Sequence, residues 1–156
     1  MPTKVLMVCL GNICRSPLAE GILSSKVDPE LVVVDSAGTA GYHIGEKPDP
    51  RSIAVARSHG IDISHQRCRK FNARDFLDFD LIYAMDRSNY QNIITLADSQ
   101  EKIEKVKLLL KETELGLSEV PDPYYGGAQG FENVFSMIEV ACENIAKRLS
   151  NDQNNG

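Results

Sequence analysis

Apolar positions along the chain change their spacing several times, and each change marks an element. Lys4–Leu10, KVLMVCL, is apolar at nearly every position and short, the pattern of a strand buried on both faces. Gly11–Ser16 reads as a tight loop. Pro17 then stands where a first helical residue stands, with Ser16 as its N-cap, and a helix is predicted over Leu18–Lys26. Leu31–Asp35 is a second apolar strand. Ser36–Pro50 reads as a long loop because it holds Gly38, Gly41, Gly45, Pro48 and Pro50. Ile53, Ala54 and Ala56 predict a helix over residues 51–59, stopped by Gly60. A short helix over Ala73–Leu77, a strand over Leu81–Met85, a helix over Ser88–Leu96 and a strand over Val106–Leu110 follow. Pro121–Gly130 reads as a loop. Val134, Ile138, Ala141, Ile145 and Leu149 recur at helical spacing and predict a final helix over Phe131–Leu149.

Strands alternating with helices predict an α/β fold, a parallel sheet with helices on both faces. Ligands of such sheets sit beyond the carboxyl ends of the strands, where the strand order reverses. The loop after the first strand is therefore the first candidate site. A single domain is expected over residues 1–150, with a polar tail over 151–156 that frays.

Composition narrows the class. The chain has 156 residues and is 42% hydrophobic, enough for one real core. A net charge of −5 argues against a broad nucleic-acid surface. Residues 1–75 hold ten Lys/Arg and eight Asp/Glu, a balance of +2, whereas residues 76–156 hold seven and fourteen, a balance of −7. The first half is thus better suited to an anionic ligand. The opening apolar run is too short for a secretory leader, and no run approaches the ~18 residues of a membrane span. A cytoplasmic protein is expected, with Cys9, Cys14, Cys68 and Cys142 as free thiols. No Cys/His spacing suggests zinc, and neither a metal nor a cofactor is expected. Without a coiled-coil repeat, a monomer is the expected state.

The chemistry gathers in Cys9-Leu-Gly-Asn-Ile-Cys-Arg-Ser-Pro. A short loop that wraps into a helix N-terminus points several backbone N–H groups at one spot. Gly11 lets the backbone approach an anion, and Arg15 adds a planar fork that matches two phosphate oxygens. The same positive surroundings favour a thiolate at Cys9, a nucleophile for phosphorus. Ser16 can donate its hydroxyl to that sulfur. Leu10 and Ile13 offer apolar contact, and Asn12 tolerates the left-handed backbone that a curled loop needs. Cys14, separated from Cys9 by four residues within the loop, is either a small buried side chain or a redox partner that traps oxidised Cys9 as a disulfide. Downstream, Asp122 stands between two prolines, read from spacing alone as either a turn residue or a held proton donor. His59 reads as a structural cation at a helix end, and Asp86 as a cap or a polar partner near the site.

CLGNICRSP (9–17) resembles the phosphate-binding loop of the low molecular weight protein tyrosine phosphatases. The likeness continues through DSAGT (35–39), PDPRS (48–52), HGIDISHQR (59–67), AMDRSN (84–89) and PDPYYGG (121–127). It implies a four-stranded parallel sheet of order 2-1-3-4 between layers of helices. It implies that Cys9 is the nucleophile, that residues 10–16 bind phosphate and that Asp122 is the general acid and base. It also implies that Tyr42, Tyr124 and Tyr125 wall a slot for phosphotyrosine, and that Asn12 is held by Ser36 and His65. The implied partners are phosphotyrosine proteins, with inorganic phosphate or similar oxyanions as product or inhibitors.

Three other readings share this loop. An arsenate reductase relays oxidation through a further cysteine pair, and here only the distant Cys68 and Cys142 remain. A protein-arginine phosphatase of the same fold carries Thr where Ile13 stands. A non-catalytic phosphate-binding module is expected to lack Cys9, Arg15 or Asp122, and all three are present.

Overall fold

The computed structural model describes residues 1–155, and the side chains of Tyr124, Tyr125 and residues 152–155 lie outside the described set. Four strands, β1 (Thr3–Cys9), β2 (Val32–Gly38), β3 (Leu81–Ala84) and β4 (Val106–Leu108), form one parallel sheet in the order β2-β1-β3-β4. Among the described residues the α-helices are α1 (Arg15–Ser24), α2 (Pro50–Ser58), α3 (Asp75–Asp78), α4 (Arg87–Ile94), α5 (Gln100–Glu104) and α6 (Gly127–Asn155).

β1 is the central strand, and Val5, Leu6, Met7 and Val8 are all fully buried. Strand alternation divides them. Val5, Met7 and Cys9 pack with Leu18 and Ile22 of α1, Val55 of α2, and Phe135, Ile138 and Ile145 of α6. Leu6 and Val8 face Phe71, Phe76, Phe79 and Ile93 on the other side. The periodic residues Val134, Ile138, Ala141, Ile145 and Leu149 of α6 are buried, as their spacing predicts. Strand order reverses across β1: the chain steps from β1 to β2 on one side, then to β3 on the other. The loops leaving β1 and β3 therefore flank one crevice.

Several boundaries differ from the sequence reading, and each difference matters at that crevice. β2 runs on through Ser36, Ala37 and Gly38, which pair with Met7, Val8 and Cys9, so SAG is strand and not loop. α1 begins at Arg15 with Cys14 at its N-cap position, and Ser16 does not cap it. Pro17 is thus the third helical residue, still within the turn where a missing N–H leaves no partner unsatisfied. β4 ends at Leu108, because Leu109 and Leu110 turn into a short 3-10 helix. α5 escapes the pattern reading: it is five residues long and buries none of them. A 3-10 turn over Pro123–Gly126 leads into α6, which starts at Gly127 and continues to Asn155, through the tail expected to fray. Asp49 caps α2, accepting from Arg51 N–H at 2.8 Å, and Gly60 ends it at φ 81. Among the described residues, no helix is long and apolar enough to cross a membrane.

Candidate active site

Cys9 closes β1 with its Sγ 3.0 Å from Ser16 Oγ, on the first turn of α1. Between them the chain curls. Its carbonyls are tied outward: Cys9 O accepts from Thr39 N–H, Leu10 O from Ala40 N–H and Ile13 O from Asp49 N–H. Asn12 O accepts from the Cys68 thiol at 2.8 Å. A trans peptide directs its N–H opposite to its C=O, so the outward carbonyls turn the N–H groups of Leu10, Gly11 and Ile13 toward the inside of the curl. The turn is made at Asn12, the one non-glycine residue with positive φ among those described, at 59°. Gly38 lies beneath it. A Cβ there would stand 2.8 Å from Leu10 O and 3.0 Å from Asn12 N, so the loop can close over β2 only because residue 38 has no side chain.

The Asn12 side chain is a hub. Its Nδ2 donates to Ser16 Oγ and to Ser36 Oγ, each at 2.9 Å, and its Oδ1 accepts from Arg69 N–H at 3.0 Å. Ser36 Oγ in turn donates to Glu20 Oε1 at 2.7 Å. Ser36 therefore sits where the sequence reading puts it. His65 does not: it is exposed, and the backbone N–H of Arg69 occupies the Asn12 acceptor instead. Burial pushes the Glu20 carboxyl up to about 7. The Ser36 hydroxyl opposes that rise, the Asp35 charge adds to it and the Arg69 charge opposes it.

Glu20, Arg69, Cys68 and Gly38 are the residues that sequence reasoning missed. Glu20 left a signal, because it lies one helical turn after Ser16 on the same face. Cys68, expected only as a free thiol, is buried and pushed up to about 11 by burial and by its proximity to Cys9, and so stays a donor to the loop. Cys142 is a core residue, 0% exposed, whose thiol burial also pushes up. All four cysteines are free thiols.

Arg15 is 8% exposed and donates through Nη1 to Asp86 Oδ2 at 2.7 Å and to Val120 O at 2.9 Å. Asp86 has both parts that its sequence suggests. Its Oδ1 caps α4, accepting from Asn89 N–H at 2.8 Å, while its Oδ2 holds Arg15. Cys9, Leu10, Gly11, Ile13, Cys14, Arg15, Tyr42 and Asp122 line one cavity of about 150 Å³, together with His43 and Pro123. Sulfur, guanidinium and carboxylate thus share one space, with the apolar Leu10, Ile13 and Tyr42 around it. Tyr42 is 75% exposed. The side chains of Tyr124 and Tyr125, the other expected walls, lie outside the described residues. His59 is structural, stacked on Phe135 at 4.0 Å with Nε2 3.1 Å from Glu132. Among the described residues, no group of three or more His, Cys, Asp or Glu side chains converges as a metal site.

Known proteins are similar to this chain over nearly its whole length. The family model described as low molecular weight phosphotyrosine protein phosphatase matches residues 4–155. A protein of Schizosaccharomyces pombe named low molecular weight phosphotyrosine protein phosphatase is 39% identical over 153 residues, spanning 94% of this chain and 97% of its own. A low molecular weight protein-tyrosine-phosphatase of Streptomyces coelicolor is 41% identical over 152 residues, spanning 93% and 92%. The crystal structure of a protein tyrosine phosphatase from Entamoeba histolytica superposes with a TM-score of 0.90 at 38% identity, spanning 97% of this chain and 99% of that one. With the curl after β1, its sheet order and these relatives in agreement, the chain belongs to the low molecular weight phosphotyrosine protein phosphatases, a family of hydrolases.

Proposed function

We propose that this chain hydrolyses phosphotyrosine in protein substrates, and small aryl phosphates, through a phosphocysteine intermediate on Cys9. The observation that carries this reading is the shared cavity: Cys9, Arg15 and Asp122 line the same space of about 150 Å³. The phosphoryl group rests in the curl, its oxygens met by the inward N–H groups and the Arg15 guanidinium. Cys9 Sγ attacks phosphorus in line with the aryl oxygen. As the S–P bond forms the P–O bond breaks, and Asp122 gives its proton to the departing phenolic oxygen. Asp122, now a carboxylate, then takes a proton from water. The water oxygen attacks phosphorus, the P–S bond breaks, and inorganic phosphate leaves. Ser16 Oγ, 3.0 Å from the sulfur, donates to it as it departs with its electron pair. Leu10, Ile13 and Tyr42 favour a flat aryl ring over a short alkyl phosphate, and burying such a ring contributes roughly 1.5–3 kcal/mol.

The test is turnover of p-nitrophenyl phosphate and of a phosphotyrosine peptide by wild type, Cys9→Ser and Asp122→Ala. Cys9→Ser is expected to lose at least about a thousandfold in kcat, as removal of a covalent nucleophile does. Asp122→Ala is expected to lose most on the phosphotyrosine peptide, whose leaving group is poorer, and acid quench should trap phosphate on Cys9 by mass spectrometry. Undiminished turnover by Cys9→Ser refutes the mechanism.

A further inference from the structure

A second cavity of about 330 Å³ adjoins the first. Leu10, Arg15 and Asp122 line both, while Cys9 lines only the first. The polar lining of the second adds Asp86, Ser88, Asn89 and Glu119. Three carboxylates therefore surround it against one guanidinium. Arg15 is already paired with Asp86 at 2.7 Å, and Asp122 is committed to the leaving group in the reaction proposed above, so Glu119 is the carboxylate that a ligand here meets. Glu119 is exposed, and its Oε2 accepts from Arg87 N–H at 2.9 Å.

Asn89 gives an independent indication. It is 1% exposed, it lines this cavity, and its Oδ1 is a buried acceptor with no hydrogen-bond partner among the described residues. Buried amide oxygens are paired as a rule, because leaving one without a donor is unfavourable. A ligand N–H would relieve it.

We propose that this cavity is a subsite for a cationic side chain, arginine or lysine, close to the phosphotyrosine of a protein substrate. The proposal rests on the phosphatase reading above. Carboxylates and an unpaired amide oxygen accept hydrogen bonds, so the complementary group is a cation rich in N–H, which guanidinium and ammonium supply. With phosphotyrosine in the first cavity, the substrate backbone crosses the shared rim at Leu10 and Asp122, and a neighbouring residue hangs into the second. Its alkyl stem lies along Leu10, itself 46% exposed, while its charged head meets Glu119 and Asn89. An acidic neighbour meets like charge and is rejected.

The test is kcat/KM on peptides carrying one phosphotyrosine, with Arg, Lys, Ala or Glu placed at each of the nearest positions on either side. Arg and Lys are expected to exceed Ala by about three- to tenfold at one or more positions, with Glu below Ala, and the preference should shrink as salt is raised. Glu119→Gln keeps an acceptor for Arg87 N–H but loses the charge, and should cut the preference. Glu119→Lys should abolish or invert it. Turnover of p-nitrophenyl phosphate, which does not reach the second cavity, should stay unchanged in both variants. A flat peptide profile with intact p-nitrophenyl phosphate turnover, or a preference that survives Glu119→Lys, overturns the subsite and leaves the phosphatase reading standing. Absence of p-nitrophenyl phosphate turnover in the wild type overturns both.

Discussion

Among the described residues, Arg15 makes both of its hydrogen bonds to protein through Nη1, one to Asp86 and one to Val120 O. A guanidinium has further N–H groups in the same plane, so these bonds can aim the fork while the rest of it meets an oxyanion. Lysine has one nitrogen for every task, and Asp86 would draw it away from the phosphoryl group. Arg15→Lys should therefore keep the fold and the positive charge yet lose roughly a hundredfold or more in kcat/KM, a loss on the scale of one transition-state hydrogen-bond donor. Steady-state kinetics with a melting curve checks this, and near-wild-type kcat/KM in Arg15→Lys would refute the aiming argument. Asn12 shows what could be read from sequence at this scale. Its tolerance of left-handed backbone follows from residue type alone, and the observed φ of 59° agrees. Its partners are harder to read. Arg69 holds Asn12 through a backbone N–H, a group that every non-proline residue carries and that leaves no mark in a sequence.

At the scale of elements, the strand-loop-helix unit from β1 to α1 was legible because its signals are local: a short apolar run, a glycine, then a proline in a first turn. β2 was read too short for the opposite reason. Ser36, Ala37 and Gly38 look like loop residues by composition, and only pairing with Met7, Val8 and Cys9 makes them strand. That extension carries Ser36 to the Asn12 side chain and puts Gly38 under the loop. The atoms that a Cβ at 38 would strike are backbone, which cannot swing aside as a flexible side chain can. Gly38→Ala should accordingly cost about 1–3 kcal/mol of stability by overpacking and lower kcat/KM by displacing Leu10–Asn12. Urea unfolding beside aryl phosphate kinetics measures both, and wild-type values for the two together would show that the loop does not depend on this close approach. α5 lay beyond pattern reading, since five residues hardly exceed one turn and no buried stripe marks them.

For the molecule as a whole, the loop's hydrogen-bond network ends on a carboxylate held in an unfavourable place. Glu20 accepts from Ser36, which receives Asn12 Nδ2, which also reaches Ser16 beside Cys9. Burial raises Glu20 from 4.5 to about 7, with Asp35 and Arg69 as the charges that act on it. Between those values the folded chain binds more protons at this site than the unfolded chain does. Stability therefore falls as pH rises through that window, and the full penalty persists above about 7. At 1.36 kcal/mol per pKa unit the penalty is roughly 3 kcal/mol. Glu20→Gln keeps an oxygen for Ser36 but cannot ionise. Every other titrating group is common to both proteins, so the difference in unfolding free energy between variant and wild type isolates Glu20. That difference should grow in favour of the variant from about pH 4.5 to about pH 7 and then level off. A difference that is flat across this range would show that Glu20 titrates normally. If the rise is found while kcat/KM of Glu20→Gln falls above neutrality, the carboxylate lowers global stability and at the same time holds the loop through Ser36 and Asn12. A network whose terminal charge destabilises the whole molecule is then retained for the order it gives to the Cys9 loop.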